Sequence, residues 1–413
     1  MLITNARIAN HNDDAHYDIR ITNGKIESIT PATHATDNDS YNAHGRIVAP
    51  QFVEAHIHLD YANTAGTPRD NQSGTLFEAI EIWRERKEQG LNNPTLIRAN
   101  AIAAARSAVA HGVGTIRTHV DVTDPNLVAF YALQEVKEEI KDWCEIEIVA
   151  FPQNGIYAYP DGDKLVARAL DEGADAIGGI PHLEPTREDG IASLDYLFDL
   201  SEKYGVPIDI HCDEIDDEHS RFAEVIAAQT SKRSMHGLAT ISHAVAMSYY
   251  SPGYLSRLLP KLAAAQVNFA VCPNENLHLQ GRGFSSAVPR GVAPIKQLTE
   301  FGINVALCQD SISDPWYPLG NGDLLRILDT GLHVSHMLTP TYLDNCLEFI
   351  TTNPARNLRL NNYGIAEGNP ANLIVLDATS QRDALQHSAP VLLSIHNGKK
   401  IFERAAAPAQ WDY

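Results

Sequence analysis

The chain has 413 residues, 44% hydrophobic and 20% charged, with 52 acidic against 32 basic side chains and a net charge of −20. That apolar content excludes a disordered chain, and the acidic balance argues against polyanionic partners, namely nucleic acids and anionic membrane surfaces. No run of about 18 apolar residues is present, so no membrane span is expected.

The start, Met1-Leu2-Ile3-Thr4-Asn5-Ala6-Arg7, lacks a signal peptide's charged opening and long apolar stretch. Five cysteines, at 144, 212, 272, 308 and 346, show no CxxC spacing. A disulfide framework or cysteine zinc site is therefore not expected, and a reducing, cytoplasmic location is.

Residues 2 to 30 read as two or three short strands with a turn at Asn23-Gly24-Lys25. Eight β-branched apolar runs follow: Arg46 to Leu59, Gly114 to Val122, Glu145 to Gln153, Ala176 to Glu184, Pro207 to Glu214, Ala239 to Val245, Asn268 to Cys272, and Ile303 to Asp310. Most are separated by enough chain for a helix. Leu96 to His111 is the clearest helix, Ala-rich and ended by Gly112. Thr339-Pro340 opens a further helix to about Leu347, and a turn runs through Pro354 to Leu358. The tail carries two strand-like runs, Asn372 to Leu376 and Val391 to Ile395, then a hairpin signal at Asn397-Gly398-Lys399-Lys400, with no helical period between them.

Apolar strands alternating with helices imply a parallel sheet buried on both faces. Eight repeats over this length fit an α/β fold of the TIM-like (β/α)8 barrel type, and no GxGxxG or GxxxxGK[ST] supports a doubly wound sheet. The expected organisation is a barrel over residues 50–361 and a small β-sandwich domain built from residues 1–49 and 362–413.

In such a barrel the reactive groups project from the C-terminal strand ends. The first run ends His56-Ile57-His58, where alternation puts both imidazoles on one face. The fifth ends His211-Cys212-Asp213-Glu214, the sixth Ser242-His243, and the eighth Gln309-Asp310-Ser311. Each alone reads more readily as a polar loop residue than as a ligand; together they form a set that Zn2+ or Fe2+ accepts. One ion there would bring a water's pKa toward about 7, and Glu214 is the natural group to move protons.

Other polar positions stay open on the residues alone. Gln153 is a turn-capping amide or a reader of a ring amide edge, and Leu76 and Trp316 read as core. Cys212 reads as a packed small residue. Arg117, His119 and Asp121 share one face of the second strand, as partners orienting the ligands or as a structural cluster. Asn276, His278, Gln280 and Arg282 form a loop cluster after the seventh strand.

The order HxH, His, His, Asp along the strands resembles the amidohydrolase superfamily, over essentially the whole chain. The fourth run, Ile180-Pro181-His182-Leu183-Glu184, has no bridging lysine, which fits a one-metal branch. Val53 to Asp60, Asn71 to Glu78, Arg117 to Val122, Ala150 to Gln153, His211 to Glu218, His278 to Arg282 and Asp314 to Gly320 resemble the bacterial cytosine deaminases. That resemblance implies one divalent ion, Fe2+ or Zn2+, on His56, His58, His211 and Asp310. It also implies His243 against the hydrolytic water, Glu214 as proton shuttle, Gln153 on the pyrimidine's amide edge, and Leu76 and Trp316 as ring walls. A small-molecule nucleobase substrate and a homo-oligomer are implied with it.

One departure bears on the substrate. The family's His-Asp-Asp after the eighth strand is Gln309-Asp310-Ser311 here. Replacing a carboxylate near ring C5 by a hydroxymethyl group makes room for a substituent, and burying a methyl there gains about 0.8 kcal/mol. The expectation is deamination of 5-methylcytosine to thymine, cytosine to uracil, or both. Rival readings are a deaminase or hydrolase of another cyclic amidine (creatinine, isoguanine or a triazine) and a catalytically idle binding barrel. Intact ligands and Glu214 argue against the idle barrel, and the absence of H-x-E…P-C-x-x-C argues against a nucleic-acid editing enzyme.

Overall fold

In a computed structural model, residues 1–9, 11, 15–33, 39–284 and 289–406 are described. Five strands open the chain: β1 (Leu2–Ile8), β2 (Tyr17–Thr22), β3 (Lys25–Pro31), β4 (Ser40–Asn42) and β5 (Ile47–Pro50). Eight more run through the middle: β6 (Phe52–Ile57), β7 (Val113–Asp121), β8 (Glu145–Phe151), β9 (Ala176–Gly179), β10 (Ile208–Cys212), β11 (Ala239–His243), β12 (Asn268–Val271) and β13 (Val305–Leu307). These pair in parallel in chain order. The ring closes just past β13, where the Asp310 N–H donates to the His56 carbonyl and the His58 N–H donates to the Asp310 carbonyl, both at 2.9 Å.

The tail supplies β14 (Leu373–Leu376), β15 (Val391–His396) and β16 (Lys399–Glu403), which join β5 and β1 in a sheet made from both ends of the chain. Alternation along this sheet serves two cores at once. Ile47, Ala49, Ile374 and Leu376 pack into the barrel's apolar layer, whereas Val48, Leu373 and Val375 pack with Ile3, Ile19 and Ile395.

The run from Arg46 to Leu59, expected as one strand, is two strands in different sheets. Gln51 is the break: its amide donates to Ser394 Oγ at 3.0 Å and accepts from His396 Nδ1 at 2.8 Å. Those bonds tie the side chain to the terminal sheet while the chain turns into the barrel. The helix expected from Leu96 to His111 spans Pro94–Ala110, capped by Asn93, whose side chain accepts from the Thr95 and Leu96 N–H groups.

The helix from Thr339-Pro340 is shorter than expected. It covers Pro340–Leu343, and a separate 3-10 turn runs over Cys346–Ile350 because the Leu347 N–H is drawn to Gln381 Oε1 at 2.9 Å. A helix, Gln381–Gln386, also lies between β14 and β15 where none was expected. It is too short for a periodic signal and is held by Ser380, which accepts from the Asp383 N–H at 3.0 Å. Among the described residues no helix is long and apolar enough to cross a membrane.

His396 is fully buried against Gln51, and burial pushes its imidazole pKa down to about 4. The unfolded chain takes up this proton below about 6.5 while the folded chain holds it off, so stability is lost as pH falls through that window, by up to about 1.4 kcal/mol per pH unit. Thermal unfolding followed between pH ~7 and ~4.5 is expected to show a smaller loss of Tm for His396→Gln than for the parent protein.

Candidate active site

The β-strand alternation delivers the side chains at the C-terminal end of the barrel, and all are buried: His56 and His58 at the end of β6, His211 in β10, His243 at the end of β11, and Asp310 past β13. His58 Nε2 and His211 Nε2 are 3.1 Å apart, and Asp310 Oδ1 is 3.4 Å from His56 Nε2 and 3.6 Å from His58 Nε2. His243 and Asp310 both hold left-handed backbone, with φ of +67° and +66°. Such strain at non-glycine residues persists where the surroundings fix it, and the barrel-closing bonds of Asp310 do so here.

The layer beneath orients the rings. Ser242 Oγ donates to Asp209 Oδ1 at 2.7 Å, so its oxygen accepts from His56 Nδ1 at 2.9 Å and leaves His56 Nε2 as a bare lone pair. Arg117 holds Asp209 in turn, at 3.0 Å, and also reaches Glu147 at 2.9 Å. His119 Nε2 lies 3.4 Å from Asp209 Oδ1. Of the three alternating β7 residues, Arg117 and His119 therefore join this support. Asp121 turns away, accepting from Trp83 Nε1 at 2.9 Å and Lys87 Nζ at 2.7 Å.

Burial holds His56, His58 and His211 well below the ordinary imidazole pKa, and repulsion from neighbouring rings adds to this at His56 and His211. The rings are neutral, and His56 Nε2, His58 Nδ1, His211 Nδ1 and His243 Nε2 are buried without a hydrogen-bond partner. Unpaired buried polar atoms are costly. Imidazole lone pairs beside a carboxylate are the donor set that a divalent cation satisfies, so the residues fit such an ion. The nitrogens of His56, His58 and His211 lie within 4.8 Å of one another, and the ligand atoms of His56, His243, Cys272 and Asp310 form a second group of that span. Cys272 was not anticipated; the thiol of Cys212, next to a candidate ligand, is buried and bonds Asp213.

A pocket opens over this cluster, with about 320 Å3 of non-atom space continuous with solvent. Glu214, Gln153, Leu76, Ser311 and Trp316 all line it. Glu214 Oε1 is 3.4 Å from His243 Nδ1 and accepts from Asn276 Nδ2 at 3.3 Å, and Asp310 Oδ2 is 3.7 Å from the same His243 nitrogen. Burial raises the Glu214 carboxyl well above its ordinary range and pushes His243 down to about 3.

Gln153 Oε1 accepts from the Tyr61 hydroxyl at 2.8 Å, which orients the amide. Tyr61 in turn stacks on Trp316, with centroids 4.8 Å apart, and on His58, at 4.7 Å. Trp316 and Leu76 are wall and core together, since both pack with Tyr61 and Trp83.

Of the cluster expected in a loop after the seventh strand, Asn276 and His278 lie on a helix, Pro273–Leu279, with Gln280 and Arg282 just past it, and only Asn276 borders the site. His278 and Gln280 are half-buried away from it, and exposed Arg282 donates to the Ser73 and His278 carbonyls. Sequence reading missed Tyr61 and Glu275, both pocket-lining.

A family model described as the amidohydrolase family matches residues 39–402. The chain belongs to the amidohydrolase family. As an amidohydrolase it is a metal-dependent hydrolase, and it is similar over nearly its whole length to several proteins of assigned activity. The crystal structure of 5-methylcytosine deaminase from Klebsiella pneumoniae with 5-fluorocytosine is 47% identical and superposes with a TM-score of 0.97, covering 100% of this chain and 99% of that one. N-isopropylammelide isopropyl amidohydrolase of Pseudomonas sp. is 32% identical over 97% of this chain and 96% of its own length. The crystal structure of N-isopropylammelide isopropylaminohydrolase from Burkholderia multivorans is 28% identical with a TM-score of 0.83, over 97% and 98% of the two chains.

If Ser242 sets the His56 tautomer in this amidohydrolase, Ser242→Ala is expected to weaken metal retention about tenfold or more. Metal content after dialysis against graded chelator checks this, and an unchanged retention curve would remove Ser242 from the role.

Proposed function

We propose that this amidohydrolase hydrolytically deaminates a free pyrimidine base, 5-methylcytosine to thymine and cytosine to uracil, with one divalent cation, Fe2+ or Zn2+, on His56, His58, His211 and Asp310. The observation that carries the reading is the line Glu214–His243–Asp310, running at 3.4 and 3.7 Å along one side of a pocket that has Gln153 among its other lining groups. The 47% identity to the Klebsiella pneumoniae 5-methylcytosine deaminase supports the substrate class. The five buried free cysteines suit a reducing cytoplasm, and the family resemblance suggests a homo-oligomer.

When bound, the cation supplies Lewis acidity that makes a water nucleophilic near neutral pH. The chain's own groups do the rest. Gln153 fixes the ring through its carbonyl and ring N–H edge, and Trp316 and Leu76 flank the ring. Burial opposes ionisation of Glu214 and favours its protonated form, and it protonates N3 as the hydrolytic oxygen bonds to C4. His243, neutral, and Asp310 orient that oxygen and accept its proton. The C4–N4 bond then breaks, the oxygen's first proton passes along Asp310, His243 and Glu214 to the departing amine, and its second returns by the same groups to Glu214 as the C4 carbonyl forms and ammonia leaves.

Glu214→Gln is expected to keep substrate affinity while kcat falls by about 10²–10⁴; retained turnover in an ammonia-release assay would exclude the role. Ser311 leaves room at C5, so Ser311→Asp is expected to lower the kcat/KM ratio of 5-methylcytosine to cytosine by about tenfold or more. An unmoved ratio would show that Ser311 does not set the preference.

A further inference from the structure

The wall beside Ser311 holds more polar groups than a methyl substituent can use. Glu275, in the first turn of the helix Pro273–Leu279, is 2% exposed, lines the pocket, and its Oε2 has no hydrogen-bond partner. Asp314, 1% exposed, spends Oδ1 on the Trp316 and Tyr317 N–H groups at 2.9 and 3.0 Å, and its Oδ2 is likewise unpartnered. The Ser311 hydroxyl neighbours both carboxyls and eases the ionisation of each. It has one proton to donate, so it cannot serve both acids fully.

The cyclic order of the barrel identifies which edge of the ring meets this wall. With N3 toward Glu214 after β10 and the C2 carbonyl toward Gln153 after β8, the ring's remaining edge turns to the groups after β12 and β13. That edge carries C5, next to the reacting C4, and the groups there are Glu275 and Ser311.

We infer that Glu275, with Ser311 and Asp314 behind it, reads a hydroxyl on the C5 substituent, so that the site takes cytosines bearing a hydroxylated one-carbon group, 5-hydroxymethylcytosine being the simplest. A hydroxyl both donates and accepts, so it pairs with a carboxyl in either protonation state, whereas a methyl or ethyl group pairs with neither. A site built to bond a substrate hydroxyl discriminates strongly against the analogue that lacks it. The reaction is the same hydrolysis: water adds at C4, the C4–N4 bond breaks, ammonia leaves, and the C5 substituent is untouched.

This inference rests on the pyrimidine deaminase reading, and the experiment separates the two. Metal-loaded enzyme is assayed with cytosine, 5-methylcytosine, 5-hydroxymethylcytosine and 5-ethylcytosine, the last matching the hydroxymethyl group in heavy atoms without its hydroxyl. The expected result is a kcat/KM for 5-hydroxymethylcytosine about tenfold or more above that for 5-ethylcytosine, falling to within about twofold in Glu275→Leu. No turnover of any of the four bases would sink both readings. Turnover of cytosine or 5-methylcytosine with a hydroxymethyl-to-ethyl ratio at or below one would sink this one alone, as would a high ratio that Glu275→Leu leaves unmoved. Should Glu275→Leu fail to fold, Glu275→Gln and calorimetric binding of 5-hydroxymethyluracil against 5-ethyluracil to the parent enzyme read the same preference.

Discussion

Asp310 closes the barrel and enters the imidazole cluster with the same residue. Its N–H and carbonyl span the seam to His56 and His58 at 2.9 Å, and its side chain stands 3.4 and 3.6 Å from the same two rings. The left-handed φ that this demands is held by the seam bonds. Folding and site assembly are therefore one event at this point: a barrel that failed to close would also leave its carboxylate away from the histidines. Glu54 reinforces the seam from inside, accepting from the Gln309 and His56 N–H groups, both at 3.0 Å.

The second constraint is electrostatic. Several neutral imidazoles share one buried cluster with a line of acids, and ring nitrogens there are left without hydrogen bonds. An apolar core would not tolerate this arrangement for its own sake. The buried Arg117, held between Asp209 and Glu147, shows where part of the compensation lies, in the ion pairs of the layer under the rings. His56 above is aimed by that layer through Ser242, and each of the four rings keeps one unpaired nitrogen.

The parts of the site that were legible in the sequence are those that strand geometry dictates. His56 and His58 face one way because strand side chains alternate, and His211, His243 and Asp310 could be placed because each ends an apolar run. The Gln51 break was not legible, since an apolar run across two sheets looks the same as one within a single sheet; only the amide's bonds to Ser394 and His396 divide it. The short helix Pro273–Leu279 was not legible either, and with it went Glu275. Tyr61 follows a strand as an ordinary aromatic, and nothing local says that its hydroxyl orients an amide 92 positions away.

This division has a consequence for how such a site diversifies. The imidazoles and Asp310 sit at or just past strand ends with buried supports, where a substitution disturbs the barrel itself. Other parts of the pocket lining, Leu76, Glu275, Ser311 and Trp316, are carried by helix starts and the segment beyond β13. Those positions border the pocket without carrying the barrel-closing bonds, so their side chains can change while the imidazole cluster stays in place. Ser311 and Glu275 are two such positions: a short side chain past β13 and a buried carboxyl on the helix after β12 line the same pocket.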